Sequence, residues 1–387
     1  MTKDFRKHNE EVAHLWSDFE QGRNNRVPMI LGFSSRYFMF NNITNPEHIT
    51  YEEYSNDPEL MVMMQMRFAE FERTQIYSDK EMGIPEEGWD LYVDFQNYYE
   101  AGWFGCPIRY LTDNVPSTTP LLDDDNKRSL FAKGIPDPFS GLMATGRDHY
   151  EKINSRLSVY QHAGKPARSF QPGSFLGTDG PFTLACELRG PTEACIDMLD
   201  DPEYFTELLD YITTATVSRI KAWRKYLGVP ELTPGFGFAD DSIAMLSVQQ
   251  YREYVLPFHK RLVSELTTGD HPQVSIHLCG DATRHFNLIA QELNAVSFDT
   301  GYPVDHQALV RELGPDIRIN GGPNVAMLHD GTPTMIRNET RSILESVMPY
   351  TRKFVLRDAN NVAPGTPVEN LNAMYSACLE FGKLGNG

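Results

Sequence analysis

Eight short β-like runs, each followed by a stretch of helical periodicity, constrain the fold of this chain more than any other feature. They lie at residues 29–33, 91–95, 168–175, 234–240, 273–279, 296–300, 317–321 and 353–358. Strands separated by helical segments read as parallel βα units, because a parallel pair needs a crossover long enough to hold a helix. Eight such units in 387 residues predict an α/β fold, a single (β/α)8 TIM barrel over residues 28–387. Residues 1–27 are expected to form an N-terminal helical extension. Residues 102–150, rich in Pro, Asp and Gly, are expected as an insertion over the barrel mouth. Its run Asp123-Asp124-Asp125 reads as a solvated loop. A doubly wound sheet is the main competitor, but the first strand runs into Gly32-Phe33-Ser34-Ser35-Arg36-Tyr37, not G-x-G-x-x-G.

The helices carry start signals. Asp201-Pro202-Glu203 offers an N-cap, a proline at the first helical position and an acid in the first turn. Ser247-Val248-Gln249-Gln250 and Thr366-Pro367-Val368-Glu369 both read as capping boxes, and Thr332-Pro333 as another start.

Composition narrows the function classes. The formal net charge is −18, which argues against a general nucleic-acid binder, since phosphate contacts need clustered cations. No apolar run approaches a membrane span, and no apolar segment follows the charged first residues, so neither a membrane segment nor a signal peptide is expected. The expectation is a cytoplasmic chain whose cysteines, at 106, 186, 195, 279 and 378, are reduced.

In a barrel the chemistry sits at the C-terminal ends of strands. The fifth run ends in His277-Leu278-Cys279-Gly280. Residues two apart share a strand face, so His277 and Cys279 project together where the strand turns. Nitrogen and sulfur side by side suit zinc; a histidine can also activate a thiol, and a core histidine beside an inert cysteine fits the same pattern. The fourth run ends in Asp240-Asp241, which can supply a metal ligand, a general base or a helix cap. Asp94 ends the second run among apolar residues and needs a partner or a function. Arg36-Tyr37 offers a guanidinium for a carboxylate and a ring, and Arg357-Asp358-Ala359-Asn360 would close the mouth. G-x-S-x-G, H-E-x-x-H, C-x-x-C and Walker A sequences do not occur.

Five segments in series resemble the uroporphyrinogen decarboxylase superfamily, which also holds methylcobamide-dependent methyltransferases. They are Gly177-Thr178-Asp179-Gly180-Pro181-Phe182-Thr183; Asp240-Asp241 with Ser247-Val248-Gln249-Gln250-Tyr251; His277-Leu278-Cys279-Gly280-Asp281; Asn320-Gly321-Gly322-Pro323-Asn324; and Pro364-Gly365-Thr366-Pro367. The resemblance implies a (β/α)8 barrel and is closer to the methyltransferase branch. It implies zinc at His277 and Cys279, completed by Asp241, and methyl transfer between a small substrate and a corrinoid on a partner protein. His277, Asp240 and Asp94 are then the catalytic candidates, and Arg36, Tyr37, Tyr98 and Asn360 the substrate contacts. The branch's distant cysteine ligand falls on Asn360. The decarboxylase branch's opening motif keeps only Pro28 and Arg36-Tyr37, while its strand-two aspartate matches Asp94. Cofactor-free decarboxylation of a tetrapyrrole carboxylate, or a small-molecule-binding barrel without catalysis, are the alternative readings. The family resemblance also implies a homodimer.

Overall fold

The computed structural model describes residues 4–112 and 114–385. Residues 1–3 of the expected extension and Asp113 of the expected insertion lie outside the described residues. The chain divides into two compact units. One comprises Met1–Leu91, Asn154–Phe170 and Ser297–Gly387; the other comprises Tyr92–Ile153 and Gln171–Val296.

In the first unit, parallel pairing joins Phe354–Leu356 to Arg318–Gly321, and that strand to Ala295–Thr300 from Ser297 onward. Phe298, Ile319, Phe354, Val355 and Leu356 are all buried. Phe354–Leu356 is buried throughout, as a strand covered on both faces must be, whereas Arg318–Gly321 alternates between buried and half-buried. Each buried apolar side chain stabilises the fold by about 1.5–3 kcal/mol. The expected first strand is reduced to a parallel bridge, Met29 to Leu356, flanked by the Ile30 N–H on the Leu356 carbonyl at 3.0 Å. The N-terminal extension carries the helix Arg6–Glu20, which buries Val12, Leu15 and Phe19. The expected strand at 168–175 begins earlier, at Lys165, and folds back on Gln161–His162 as an antiparallel hairpin. The turn needs two left-handed residues and has them in Ala163 (φ 49°) and Gly164 (φ 75°). The helix Val368–Phe381 lacks the expected capping box. Pro367 is its N-cap residue, and the Thr366 hydroxyl donates backward to the Ala363 carbonyl instead. Thr332 does cap its helix, accepting the Met335 N–H.

In the second unit, Gly235–Ala239 pairs in parallel with Gln273–Leu278, from Gly235 opposite Gln273 to Ala239 opposite His277. A Cβ on Gly235 would stand 2.4 Å from the Gln273 carbonyl oxygen, so this close start requires glycine. Asp201 caps Pro202–Tyr226 through the Tyr204 N–H, and Ser247 forms the expected capping box with Gln250. Residues 102–150 hold the hairpin of Ile108–Arg109 with Ser117–Thr118 and the helix Ser129–Lys133, and the helix Leu142–Asn154 begins among them. Asp123 ties the acidic run into a turn by accepting the Asp125 and Asn126 N–H groups, and Asp124 pairs with Arg189. No helix of the described residues is long and apolar enough to cross a membrane.

Candidate metal centre

Two strand ends of the second unit come level. Because Ala239 and His277 are register partners, the residues just past Ala239 meet those around His277. His277 Nε2 lies 2.9 Å from Cys279 Sγ and 3.9 Å from Asp241 Oδ1. Asp241 Oδ1 also accepts the Cys279 N–H at 2.6 Å, which ties the two strand ends together. The donor atoms of Asp241, His277 and Cys279 all lie within 4.8 Å of one another, and each residue is half-buried. Gly280 follows at φ +70°, the left-handed turn that takes the chain out of the strand. Burial pushes the Cys279 thiol up, and the His277 ring pulls it back only in part. The thiol form is thus favoured over the thiolate.

One nitrogen, one sulfur and one oxygen donor form a set that suits zinc. Zinc bonds of about 2.0–2.3 Å at tetrahedral angles set donors about 3.4–3.6 Å apart. The observed 2.9 and 3.9 Å bracket that range. Three protein donors with a fourth direction left over is the arrangement of catalytic rather than structural zinc.

The adjacent acids divide their work. Asp240 is fully buried. Its carboxylate accepts the N–H groups of Phe182 and Thr183, the Thr183 hydroxyl and His259 Nε2. These partners take up its lone pairs, and neither His277 nor Cys279 is among them. Asp94 is also buried; its Oδ1 accepts the Gln96 N–H at 2.9 Å and the Gln96 amide at 3.0 Å. Tyr98 is buried on the helix Tyr98–Phe104, with its ring edge-on to Tyr110.

Beside the triad the second unit holds an acidic cluster that the sequence did not single out. Glu100 and Arg219 form a fully buried ion pair. Arg219 also donates to the carbonyls of Phe175 and Gly177. Glu100 accepts the Tyr99 hydroxyl and the Asp179 N–H. Asp179 Oδ2 and Glu187 Oε2 are shut from solvent with no hydrogen-bond partner. Burial first, then neighbouring acids, pushes both carboxyls well above the usual range. The signal for Arg219 was available: it interrupts the apolar stripe Ile212, Ala215, Ile220, Trp223 of its helix.

Arg36, Tyr37 and Asn360 belong to the first unit. Tyr37 is a core residue. Its ring packs on Phe33 and Phe68, and its hydroxyl donates to the Thr366 carbonyl at 3.3 Å, which leaves no face for a substrate. Arg36 has its Nε buried without a partner. Asn360 adopts φ 105°, which non-glycine residues rarely do, and its side chain accepts the Asn361 N–H. Nearby, Arg357 pairs with Asp299, and the buried Asp358 accepts the Gly32 N–H at 2.7 Å.

The family model described as Uroporphyrinogen decarboxylase (URO-D) matches residues 175–381. A methylated-thiol–coenzyme M methyltransferase of Methanosarcina mazei is 34% identical over 202 residues, which is 52% of this chain and 51% of that protein. The chain therefore spans about half the length of that relative. A uroporphyrinogen decarboxylase of Prochlorococcus marinus is 24% identical over 93% of this chain and 94% of its own length. Among solved structures, a methyltransferase from Methanosarcina mazei superposes with a TM-score of 0.65 at 16% identity, covering 96% of this chain and 98% of that one. With the parallel strands and intervening helices, these matches show the URO-D-like α/β fold that the sequence predicts.

Proposed function

This chain belongs to the uroporphyrinogen decarboxylase family, and from that premise we propose that it transfers a methyl group between a small substrate and a corrinoid carried by a partner protein. The Asp241–His277–Cys279 triad at two strand ends carries this reading. These residues would hold zinc. When bound, zinc would act as a Lewis acid on a substrate sulfur, oxygen or nitrogen, easing loss of a methyl group or of an acceptor's proton. Cys279 as thiolate and Asp241 as carboxylate balance a dication, with His277 neutral. Asp241 keeps its place through the Cys279 N–H. Asp94 and Tyr98 orient the substrate. Asp240 supports the site through the backbone.

The test begins with metal content. The purified chain is expected to hold one equivalent of zinc, and His277→Ala or Cys279→Ser to weaken binding about 100-fold or more. With free methylcobalamin and a small thiol, the thiol loses its proton, sulfur gains the methyl group and cobalt(III) becomes cobalt(I). The corrinoid spectrum reads that change. Zinc content far below one equivalent, unchanged in His277→Ala, would sink the proposal.

The buried Asp94 and the relatedness to decarboxylases along nearly the whole chain favour a second reading, decarboxylation of a tetrapyrrole carboxylate without cofactor. It requires that a polycarboxylate porphyrinogen raise the melting temperature of the metal-free chain.

A further inference from the structure

Asp241 sits between two residues bound to one hydroxyl group. Thr183 Oγ1 donates to Asp240 Oδ1 at 2.8 Å and accepts the Ser242 N–H at 3.0 Å. The Thr183 hydroxyl thus bridges the residues on either side of Asp241. Thr183 is itself fixed, because its N–H donates to the same Asp240 oxygen at 2.8 Å, at the start of the helix Pro181–Arg189.

The far side of Asp240 is anchored as well. His259 Nε2 lies 2.8 Å from Asp240 Oδ2, and His259 Nδ1 lies 3.0 Å from the Tyr251 hydroxyl. All three side chains are fully buried. A carboxylate only accepts, so Nε2 carries a proton toward it, and Nδ1 is left to accept from the tyrosine. Local helix geometry makes this chain possible. Residues eight apart on an α-helix stand about 80° out of line. Here a π-helical turn at Tyr251–Val255 precedes the proline-containing start of Leu256–Leu266, and its extra residue brings Tyr251 and His259 onto one side.

We propose that Thr183 is the positioning residue of the candidate metal centre: its hydroxyl, anchored through Asp240, His259 and Tyr251, holds Asp241 in register with His277 and Cys279. The proposal rests on the metal reading above. With both flanking residues tied and Asp241 Oδ1 on the Cys279 N–H, the carboxylate can be redirected only by breaking one of these bonds. Partners one step removed from a metal usually change affinity 10–100-fold when lost.

The test uses Co²⁺ as the probe on the full chain. Thr183→Ser keeps the hydroxyl and is expected to match the wild type in affinity and visible spectrum. Thr183→Val keeps the shape and loses the hydroxyl. It is expected to bind Co²⁺ about 10–100-fold more weakly, with altered ligand-field bands but a retained thiolate-to-cobalt band from Cys279. His259→Asn, which removes the anchor and leaves Thr183 in place, is the second variant and moves the same bands in the same direction. Wild-type affinity and spectrum in both Thr183→Val and His259→Asn overturn the positioning role while leaving the metal reading intact. Equal weakening in Thr183→Ser and Thr183→Val overturns it too, because the methyl packing would then matter and not the hydroxyl. A wild type that binds no Co²⁺ overturns the metal reading first, and the positioning role with it.

Discussion

The strand ends of the two units carry opposite chemistry. In the second unit they present a nitrogen, a sulfur and an oxygen within one small, half-exposed space. The same unit gathers three acids, Glu100, Asp179 and Glu187, near the fully buried guanidinium of Arg219. In the first unit the strand-end charges are paired internally: Arg357 with Asp299, and Asp358 with the Gly32 N–H. Parallel strands deliver side chains to their ends in both units. The difference lies in how those side chains are arranged. The first unit's ends pair charge with charge yet leave Asp358 Oδ2 and Arg357 Nε buried without a hydrogen-bond partner, whereas the second unit's bring three donor atoms of different elements together.

The largest effect is expected where the second unit buries the guanidinium of Arg219 completely. Arg219→Met leaves Glu100 charged and unpaired with no exposure to water, and should cost about 3–5 kcal/mol in urea unfolding. Adding Glu100→Gln should recover much of that loss. No recovery would mean that the pair is not the unit's electrostatic keystone.

Asp358 tests the first unit. Burial, opposed by Arg357, pushes its carboxyl up to about 7. Between its unfolded value near 4 and that value, the native chain keeps a proton that the unfolded chain releases. Its stabilising contribution is therefore complete below about pH 4 and lost as pH rises through about 7, at about 1.4 kcal/mol per unit. Asp358→Asn should flatten this slope in melts taken from pH 4 to 8. A slope unchanged in the variant would mean that the first unit's strand ends are not the source.

Two capping boxes whose side chains are bonded only within their own first turns give the smallest effect and serve as controls. Thr50→Ala removes a capping box from the first unit, and Ser247→Ala one from the second. Each should cost about 1 kcal/mol and leave zinc content unchanged.

The last five strands were legible in the sequence within a residue or two, because each is a short β-like run set between turn residues and helix starts. The first was not, because Met29 pairs through a single bridge and the extended segment around it carries no ladder to read. The hairpin at Gln161–His162 escaped notice since its turn is Ala-Gly, a weaker signal than Asn-Gly. Thr366 was misread because an S/T-x-x-E pattern says nothing about which way the hydroxyl points. In the site, His277 and Cys279 were visible because they are two residues apart on one strand. The residues alone left Asp240 and Asp241 open and only the resemblance gave the metal to Asp241, because what separates them is His259 and Thr183, partners brought in by other elements. The Glu100–Arg219 pair joins positions 119 residues apart, and only the fold brings them together.

The π turn at Tyr251–Val255 has a consequence for how this chain can vary. An α-helix advances about 100° per residue. Loss of a single codon there would restore regular winding and leave the tyrosine seven residues from its histidine, only about 20° out of line. Insertions and deletions are usually absorbed in surface loops. Here a helix absorbs one: the π turn takes up the extra residue, and the contact between Tyr251 and His259 is kept.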